Sequence, residues 1–490
     1  MMKERKGSKD RMTIKELFAG VAAVSGLPAT ELPVASITCD SRKVEKDGIF
    51  VCIDGTAVDG HRFAGDAVAA GVAAVVAERD LGLPRQILVP STRLAWAQMS
   101  ANWFGHPADK LKLIGVTGTN GKTTTVCLLK FLLEKTGHKV GMIGTIQNMI
   151  GDRALPAART TPDTYELQSL FALMVAEGCD CCVMEVSSHA LAQERVAGCH
   201  FEVAVFTNLT QDHLDYHGTM ENYLAAKKRL FTMCDTAVIN ADDPHAAALA
   251  AGLSCPILRY SAADDTADFT AKNICHLPDG VRFELIAGTQ IGRIHLHIPG
   301  QFSVYNGMAT AAAALALGLP FDAVIEGLSQ AKGVKGRAEV VPTGRDFTVV
   351  IDYAHTPDGL ENICKTLKEC CKGRLITVFG CGGDRDRTKR PQMGKIAAAL
   401  SDVAVVTSDN PRSEEPSAII EEILDGMKRT KTPVRVIENR IEAIKWAVAN
   451  AAPGDTVLLA GKGHETYQIL RDGTIHLDER EVVADALKAL

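Results

Sequence analysis

One segment constrains the fold of this chain more than any other: the run Leu113–Thr125, which reads LIGVTGTNGKTTT. An apolar stretch that breaks into a glycine-rich turn ending in Lys-Thr predicts a β-strand, a phosphate-binding loop and the first turn of a helix. Gly118 and Gly121 let backbone N–H groups approach a polyphosphate, Lys122 supplies a cation, and Thr123 supplies a hydroxyl ligand for Mg²⁺. The segment therefore predicts a nucleotide-phosphate site.

The loop departs from a full Walker A pattern, which has a further glycine where this chain has Val116. The shorter form, Gly-x-x-Gly-Lys-Thr, also occurs at ordinary strand-to-helix turns. The apolar strand before the loop and the helical run Lys122–Lys135 after it favour the phosphate site over an ordinary turn.

The length and charge of the chain limit its class. At 490 residues the chain is too long for one hydrophobic core, and domains of about 100–200 residues predict three. Its 46% apolar and 23% charged residues are typical of a soluble globular protein. A net charge of −6 argues against a nucleic-acid partner, although it allows a local basic pocket for an anionic substrate.

The 14 cysteines and the apolar stretches bear on location. The cysteines lie in apolar runs such as Cys179–Met184, and the chain lacks the two Cys-x-x-Cys motifs of a typical zinc site, which favours free thiols in a reducing cytoplasm over disulfides or a zinc site. Lys3–Val24 faintly resembles a signal peptide, but Asp10 and Glu16 interrupt it. Met308–Leu319 is shorter than the ~20 residues that span a bilayer. We therefore expect a cytoplasmic protein without a membrane segment.

The alternation of strand and helix patterns predicts an α/β protein of three domains. Residues 1–108 form a small N-terminal α/β domain, which ends near Trp103–Pro107. Residues 109–342 form a central P-loop ATPase domain with a mostly parallel sheet. Residues 343–490 alternate strands and helices as in a Rossmann-like, doubly wound domain.

Particular elements follow from the same patterns. We expect buried strands at Cys181–Val186, Val203–Thr207, Ala237–Asn240, Thr348–Ile351, Leu375–Phe379, Val403–Thr407 and Thr456–Leu459. We expect helices at Asn306–Leu317 and after each of Pro357, Pro391 and Pro416.

Polar clusters follow several of these strands, at the carboxyl ends where open α/β sheets place their ligands. The clusters are Glu185–His189, Thr207–His217, Asp352–Pro357, Gly380–Arg387, Asp409–Arg412 and Gly461–Glu465. Glu185 could hold a metal near the phosphate loop, while Ser187 or Ser188 could cap a helix. The second cluster contains two histidines and two aspartates, which would allow a zinc site. The chain has no second motif with the spacing of zinc ligands, so one histidine that helps to bind Mg²⁺ is the favoured interpretation.

The last three clusters carry both signs of charge. Glycines beside Arg385 expose backbone N–H groups that suit an anion, although the arginine-rich run could also be a solvated charged surface. A rim of arginines and carboxylates suits a zwitterion such as an amino acid, because arginine binds a carboxylate and Asp or Glu accepts from an ammonium.

Six segments in order resemble the signature motifs of the Mur ligases, ATP-dependent amide-forming enzymes of peptidoglycan assembly. The segments are Thr117–Thr123, Glu185–His189, Thr207–Asn208, Asp212–His217, Gly336–Glu339 and Asp352–His355. Six ordered motifs are far more specific than the phosphate loop alone, and the resemblance covers nearly the whole chain.

The resemblance implies five overlapping groups of site residues. The ATP site comprises Gly118, Thr119, Asn120, Gly121, Lys122, Thr123, Thr124, Asn306, Arg337 and Asp352. Contacts to a UDP-muramoyl peptide come from Ser41, near the uridine nucleotide, and from Thr160, Thr161, Ser187, Gln193 and Arg195. The amino-acid pocket comprises Arg385, Asp409, Asn410, Pro411, Arg412, Gly461 and Glu465. Mg²⁺ is held by Thr123, Glu185, His213 and a carboxylated Lys227, and the catalytic residues are Lys122, Lys227 and His213.

Within the family, Asp409–Arg412 resembles the recognition motif of the enzymes that add meso-diaminopimelate to UDP-N-acetylmuramoyl-L-alanyl-D-glutamate. Diaminopimelate carries a second carboxylate that L-lysine lacks, and Arg412 can bind it bidentately. A site built for that carboxylate rejects L-lysine, because L-lysine lacks the group and would leave the polar side chains of the site unpaired.

Lys227 matches the family pattern, whereas residues 55–58 depart from it. Lys227 aligns with a lysine that is carboxylated by CO₂ in the family. Carboxylation turns the cation into an anion that can position Mg²⁺. The alternative is that Lys227 is an ordinary surface lysine, and the neighbouring Lys228 is the control position for carboxylation. Residues 55–58 read Gly-Thr-Ala-Val where family members can have Gly-His-Gln-Ala, so side-chain contacts to substrate at 56–58 are in doubt.

The resemblance implies a reaction. ATP phosphorylates the terminal carboxylate of the D-glutamyl substrate, and the amine of diaminopimelate attacks the acyl phosphate. We expect the domains to close around the reactants, with hinges near Pro107 and Pro342, and the chain to act as a monomer. The alternatives are an L-lysine-adding ligase, a folylpolyglutamate-type ligase, or an ATPase switch that ligates nothing.

Overall fold

The computed structural model describes residues 12–23, 31–55, 58–277 and 280–490. Its contacts form two compact units, Met1–Leu258 and Arg259–Leu490. Residues 56–57, where the substrate contacts were in doubt, and residues 3–11 and 24 of the Lys3–Val24 segment lie outside the described residues.

The first unit begins with a small α/β region around a four-stranded parallel sheet of order β1-β2-β3-β4. Its elements are α1 (Ile14–Leu17), β1 (Ile37–Thr38), β2 (Ile49–Val51), α2 (Ala64–Ala69), β3 (Ala74–Ala77), β4 (Gln86–Leu88) and α3 (Thr92–Phe104). Ser91 caps α3 by accepting from Leu94 N at 3.3 Å, and Gly105 ends the helix with a φ of 73°. The predicted small α/β fold is confirmed.

The rest of the first unit is built on a second, mostly parallel sheet. Its elements are β5 (Lys112–Thr117), α4 (Lys122–Lys135), β6 (Val140–Ile143), β7 (Asn148–Ile150), β8 (Arg153–Leu155), α5 (Thr164–Ala176), β9 (Cys181–Glu185), α6 (Ser188–Ala192), β10 (Phe201–Phe206), α7 (Leu214–His217), α8 (Met220–Lys228), β11 (Cys234–Asn240) and α9 (Ala246–Ala250). Within this unit the strand order is β11-β10-β5-β9-β6-β7-β8, with β7 and β8 antiparallel. Short 3₁₀ helices occupy Ser41–Lys43, Gly60–Phe63, Pro107–Lys110 and Arg229–Thr232.

The register of this sheet places the functional clusters side by side. β5 pairs with β9 so that Val116 lies opposite Glu185, and with β10 so that Thr117 lies opposite Phe206. The apolar runs are buried on both faces, as parallel strands between helices require. The segments that follow these three strands therefore begin at one edge of the sheet.

The second unit opens with a strand-rich region. Its elements are β12 (Ile257–Ser261), which spans the boundary, β13 (Phe269–Leu277), β14 (Gly280–Ala287), β15 (Gln290–Leu296), α10 (Gln301–Ala316) and α11 (Phe321–Gln330). β13, β14 and β15 form an antiparallel meander. Helix α10 begins at Gln301, five residues before the predicted start at Asn306, because Gly300 at a φ of 101° turns the chain directly into the helix. Among the described residues, no helix has both the length and the hydropathy to cross a bilayer.

The C-terminal region of the second unit is a doubly wound sheet of order β16-β17-β21-β18-β19-β20, in which only β16 runs antiparallel. Its elements are β16 (Glu339–Val341), β17 (Thr348–Asp352), α12 (Pro357–Cys370), β18 (Leu375–Phe379), α13 (Lys389–Leu400), β19 (Val403–Val406), α14 (Pro416–Asp425), β20 (Val434–Val436), α15 (Arg440–Ala449), β21 (Thr456–Ala460), β22 (Tyr467–Leu470), β23 (Gly473–His476) and α16 (Glu479–Lys488). The predicted doubly wound fold is confirmed. Helix α13 begins before Pro391 rather than after it, since proline is tolerated in the first helical turn.

Candidate active site

The predicted phosphate loop lies between β5 and α4, and its glycines have structural reasons to be glycine. A Cβ at Gly118 would lie 1.8 Å from Thr207 Oγ1, so no other residue fits beside β10. Gly121 takes a φ of 87° and precedes the first residue of α4. The amino end of a 14-residue helix thus opens onto this loop, and such ends bind anions.

The loop is held by the residues that follow β10. Thr119 N donates to Asn208 O and Asn120 N donates to Asn208 Oδ1, both at 2.9 Å, while Thr207 Oγ1 donates to Asn120 O at 2.6 Å. Lys122 Nζ donates to Gly118 O and to Thr119 O, both at 2.8 Å. The ammonium group therefore lies over the loop that would receive a phosphate.

Glu185 meets the first turn of α4. Its side chain is buried at the end of β9, where Oε1 accepts from Thr123 Oγ1 at 3.0 Å and from Thr145 N at 2.8 Å. Oε2 accepts from Thr145 Oγ1 at 3.1 Å. Two of the predicted metal ligands, Thr123 and Glu185, are thus in contact, and both offer the oxygen atoms that Mg²⁺ prefers.

The other two predicted metal ligands gather around Tyr223. Lys227 is buried, with Nζ 4.4 Å from the centroid of the Tyr223 ring, and the Tyr223 hydroxyl shares a 3.2 Å hydrogen bond with Thr119 of the phosphate loop. Burial lowers the pKa of Lys227 well below its usual value, and the nearby Lys122 lowers it further. The His213 ring centroid lies 6.3 Å from that of Tyr223.

His213 occupies an unusual backbone position. Its φ is 53°, it precedes α7, and its side chain is about half exposed. Its ring stands edge-on to His189 at 4.7 Å between centroids. Burial, together with His213 and His217, lowers the pKa of His189 to about 4, so His189 is neutral at neutral pH. The rings of His189, His213, His217 and Tyr223 therefore pack together, and the Tyr223 hydroxyl joins them to the phosphate loop.

The residues predicted to bind the muramoyl peptide form a continuous hydrogen-bonded network, Ser41 excepted. Thr161 Oγ1 donates to Glu185 O at 2.8 Å and accepts from Ser187 N at 3.0 Å. Arg195 donates through Nη1 to Thr161 O at 2.9 Å and through Nη2 to Gln193 Oε1 at 2.7 Å.

Thr160 and Ser187 make further contacts in this network. Thr160 joins the network through a 3.0 Å bond between its hydroxyl and that of Thr145. Ser187 also caps α6, because its Oγ accepts from Ala190 N at 3.2 Å, so the capping alternative is confirmed alongside its place in the network. Ser41 begins a 3₁₀ helix in the N-terminal region, outside this network.

In the second unit, two predicted ATP-binding residues lie at one turn. Asp352 ends β17 and accepts from Ala338 N at 2.7 Å and Ala354 N at 2.8 Å. Burial raises its pKa. The Arg337 guanidinium lies 4.9 Å from the Tyr353 ring centroid. Asn306 is buried within α10, where its carbonyl oxygen accepts from Thr310 Oγ1 at 2.7 Å.

The predicted amino-acid residues of the second unit come together at the carboxyl edge of its sheet. Asn410 Nδ2 donates to Glu465 Oε2 at 2.9 Å, and Arg412 Nη1 donates to Gly383 O at 2.8 Å. A Cβ at Gly382 would lie 2.9 Å from Arg412 Nη1, so this glycine leaves room for the Arg412 guanidinium. The rim of mixed charge expected from the sequence is therefore present.

The same edge contains buried charges that sequence reasoning missed. Lys462 is fully buried and donates to Asn410 Oδ1 at 2.9 Å and to Glu465 Oε2 at 3.0 Å. Arg440 is also buried, lies 3.9 Å from Asp409 Oδ2, and donates through Nε to the buried Glu479 at 2.8 Å. These cations hold the carboxylates and the amide of the predicted pocket in fixed positions.

Comparison with known proteins bears on the family. Three family models match in order: the Mur ligase family catalytic domain at residues 33–95, the Mur ligase middle domain at 116–314, and the Mur ligase glutamate ligase domain at 336–463. A relative from Clostridium perfringens, named UDP-N-acetylmuramoyl-L-alanyl-D-glutamate–2,6-diaminopimelate ligase, is 46% identical and aligns over 97% of this chain and 100% of its own length. The chain belongs to the Mur ligase family. A relative of the same name from Caldanaerobacter subterraneus is 48% identical to this Mur ligase over 97% and 99% of the two chains.

Solved structures agree with the fold of this Mur ligase. A UDP-N-acetylmuramoyl-L-alanyl-D-glutamate–2,6-diaminopimelate ligase structure matches with a TM-score of 0.73 at 33% identity, covering 98% of this chain and 99% of the other. A Mycobacterium tuberculosis folylpolyglutamate synthase matches with a TM-score of 0.60 at 21% identity over 75% and 92% of the two chains, a likeness of fold alone.

Some of the residues that the sequence analysis of this Mur ligase missed lie in a recognisable local motif, and others do not. Lys462 lies inside the Gly461–Glu465 run, where a lysine between two glycines after a buried strand could have been singled out. Arg440 and Glu479 begin helices far along the chain, and no local pattern marks Arg440 as the partner of both Asp409 and Glu479. Only the folded structure brings them together.

Proposed function

We propose that this Mur ligase adds meso-diaminopimelate to UDP-N-acetylmuramoyl-L-alanyl-D-glutamate with consumption of ATP. The observation that carries the proposal is the full-length identity of 46–48% with relatives that bear this activity in their names. The charged rim of the second unit supports it, because it offers opposite charges to an amino acid with more than one carboxylate.

ATP fits the phosphate loop. Gly118 is packed so closely against Thr207 that the loop backbone is fixed, and Lys122 lies over it as a counter-charge. In the second unit, Arg337, Asp352 and Asn306 are the further residues proposed for ATP. The proposed role of Lys122 is to neutralise charge on the transferring phosphoryl group.

Mg²⁺ fits the donors beside the loop. Thr123 and Glu185 supply oxygen ligands already within 3.0 Å of one another, and His213 is proposed as an imidazole ligand. When bound, Mg²⁺ would neutralise the charge of the phosphate oxygens. A Cβ at Gly144 would lie 2.6 Å from Glu185 Oε1, so this glycine leaves room at the carboxylate.

Carboxylation of Lys227 is the proposed source of an additional anion. A neutral amine reacts with CO₂ to give a carbamate and a proton, and the lowered pKa of this buried side chain favours the neutral amine. The carbamate would then be a carboxylate-like group near Lys122, the cation that disfavours the ammonium form of Lys227. Carboxylation would therefore replace the repulsion between the Lys227 and Lys122 ammonium groups by an attraction between a carbamate and Lys122.

The amino acid is proposed to bind at Arg385, Asp409, Asn410, Pro411, Arg412, Gly461 and Glu465. The Arg412 guanidinium has five donors in a planar fork and is oriented by its bond to Gly383 O, so it suits the distal carboxylate of diaminopimelate. Glu465 and Asp409 suit an ammonium. L-Lysine would leave the arginine without its carboxylate partner.

The reaction proposed here balances without a covalent protein intermediate. The γ-phosphoryl group passes from ATP to the D-glutamyl carboxylate, releasing ADP and giving an acyl phosphate. The neutral amine of diaminopimelate attacks the acyl carbon, phosphate leaves, and the ammonium proton is lost as the amide forms. We further propose that the enzyme works in the cytoplasm as a monomer on small-molecule substrates, without nucleic acid or membrane.

A phosphate-release assay tests the proposal against a nucleotide switch. Release is measured with ATP and Mg²⁺ alone, with either UDP-muramoyl dipeptide or meso-diaminopimelate added, and with both. The proposal predicts sustained release only when both are present. Release that is independent of both substrates would favour the ATPase switch instead.

A further inference from the structure

Three metal-ligating side chains converge at the amino ends of β6 and β9, away from the phosphate loop. His138 Nδ1 lies 2.5 Å from Asp180 Oδ2 and 3.6 Å from Cys181 Sγ. All three candidate ligand atoms lie within 4.8 Å of one another, and this is the one such group of three among the described residues. None of these side chains takes part in the proposed ligase reaction.

The backbone around this group is held in place by the sheet. Val140 of β6 lies opposite Cys181 of β9 in a parallel pair. Asp180 N donates to Lys139 O at 3.0 Å, and Lys139 N donates back to Asp180 Oδ1 at 2.9 Å. One carboxylate oxygen is therefore anchored while the other points toward His138.

The spacing of the ligand atoms suits a tetrahedral ion. With Zn–S of about 2.3 Å and Zn–N of about 2.05 Å, the sulfur and nitrogen of a tetrahedral site lie about 3.6 Å apart. The separation of Cys181 Sγ from His138 Nδ1 is 3.6 Å. The 2.5 Å between Nδ1 and Asp180 Oδ2 would have to open to about 3.4 Å, which requires a displacement of the Asp180 side chain of about 1 Å.

Access and chemistry are also suitable. Cys181 is buried, whereas the side chains of His138 and Asp180 are 29% and 50% exposed, so an ion can enter with a water as its fourth ligand. A thiolate, an imidazole and a carboxylate together favour a borderline-soft divalent ion over Mg²⁺ or Ca²⁺, which prefer oxygen alone.

We propose that His138, Asp180 and Cys181 form a binding site for one Zn²⁺-type divalent ion. Its ligands are His138 Nδ1, Asp180 Oδ2, Cys181 Sγ and a water molecule. The ion ties the turn before β6 to the turn before β9. Because Glu185 stands at the opposite end of β9, roughly 13 Å away at ~3.3 Å per residue, the site is separate from the proposed Mg²⁺ site.

A second histidine–aspartate pair provides a matched control. His200 Nε2 lies 2.8 Å from Asp235 Oδ1 at the starts of the neighbouring strands β10 and β11. Among the described residues, no third ligand atom forms a group with this pair. It should therefore not reproduce the three-ligand site.

Co²⁺ serves as a spectroscopic probe for the full-length enzyme. The chelator-treated protein is titrated with Co²⁺ in the absence of nucleotide, and the thiolate-to-cobalt charge-transfer band and the intense visible bands of tetrahedral Co²⁺ are recorded. We expect both to saturate at one equivalent and to be displaced by Zn²⁺. We expect C181S and H138Q to lose the charge-transfer band, and C179S and H200Q to keep it.

The thermal unfolding temperature gives a second readout. Zn²⁺ should raise it more in the native enzyme and in H200Q than in H138Q, which keeps the proposed Mg²⁺ site and whose altered side chain is partly exposed and leaves the core intact. If C181S does not fold, H138Q decides the matter. Absence of the band in the native enzyme, or its persistence in H138Q, would overturn the proposal.

Discussion

Lys227 is a charged residue type in a position that disfavours charge. Its side chain is 1% exposed, lies over the Tyr223 ring, and is near Lys122. The adjacent Lys228 is instead partly exposed and donates to Ala248 O at 3.1 Å. Two neighbouring lysines on one helix thus have opposite environments, and only the buried one suits reaction with CO₂.

A labelling experiment tests this difference. With ¹³C-bicarbonate, we expect a carbamate carbonyl resonance in the native enzyme and in K228M, and its loss in K227M. Because the pKa of Lys227 is lowered in the folded chain, the unfolded chain still binds a proton there at pH values where the folded chain does not. The free energy of unfolding should therefore rise with pH over that range. A resonance that survives K227M would exclude Lys227 as the carboxylated residue.

Lys122 contacts its own loop. Its Nζ donates to the carbonyl oxygens of Gly118 and Thr119, so truncation removes a cation from the phosphate site without opening the core. We expect K122A to keep its circular dichroism spectrum and to form ADP about 100-fold or more slowly. K135A, an exposed lysine in the last turn of the same helix, is the control. Near-normal turnover of K122A would contradict the assigned role.

Lys462 is expected to affect stability and amino-acid binding by positioning Asn410 and Glu465. Its loss in K462M would leave Asn410 Oδ1 and Glu465 Oε2 without their buried cation, and we expect the free energy of unfolding to fall by about 3 kcal/mol. The KM for the amino acid should rise more than kcat falls. Urea unfolding and initial-rate kinetics measure the two effects; unchanged KM in a folded variant would show that Lys462 does not position the pocket.

At the scale of single residues, the sequence predicted neighbours correctly where both residues follow the carboxyl ends of adjacent parallel strands. Glu185 and Thr123 were placed together because one ends a parallel strand and the other follows a neighbouring strand, and their side chains do meet at 3.0 Å. Arg440 and Glu479 could not be anticipated, because a buried ion pair between two helix starts 39 residues apart leaves no periodic pattern.

Among the elements, α16 connects distant parts of the second unit. Arg480, near its start, donates through Nε to Glu339 Oε1 at 2.9 Å and through Nη2 to Gly463 O at 3.1 Å. Glu339 in turn accepts from Gly336 N at 2.6 Å. One helix thus fixes both the 336–339 turn and the 461–465 segment of the proposed pocket.

This connection predicts a local effect of R480Q. We expect faster hydrogen exchange in residues 336–339 and 461–465, and a loss of about 2 kcal/mol in the free energy of unfolding. K488Q, which removes an exposed pair with Asp485 on the same helix, should change neither. Exchange that is unaltered in both segments would mean that α16 does not hold them.

The elements themselves were largely predictable where patterning was strong. The helix after the phosphate loop has the predicted bounds Lys122–Lys135, and the strand Leu375–Phe379 is also as predicted. Predictions were less accurate at boundaries set by tertiary packing: α10 starts at Gln301, because a Cβ at Gly300 would lie 2.4 Å from Thr366 Cγ2 and the chain turns at that glycine.

For the whole molecule, the order of the motifs along the chain is enough to indicate an α/β ligase. Six ordered motifs are sufficient because they lie at strand ends and turns, where the fold concentrates ligand contacts. The partition into residues 1–108, 109–342 and 343–490 stays a prediction, as does closure about hinges near Pro107 and Pro342. Hinge motion depends on how substrates change the relative stability of conformations, which residue patterns do not encode.

Selection of meso-diaminopimelate by this enzyme is the property on which the proposed function depends, and product formation measures it. With ATP, Mg²⁺ and UDP-N-acetylmuramoyl-L-alanyl-D-glutamate, the mass of the UDP-muramoyl tripeptide and its initial rate of formation are measured for meso-diaminopimelate and for L-lysine. We expect a kcat/KM about 10⁴-fold higher for meso-diaminopimelate. Equal values for the two amino acids, or no tripeptide from meso-diaminopimelate, would contradict the proposed function.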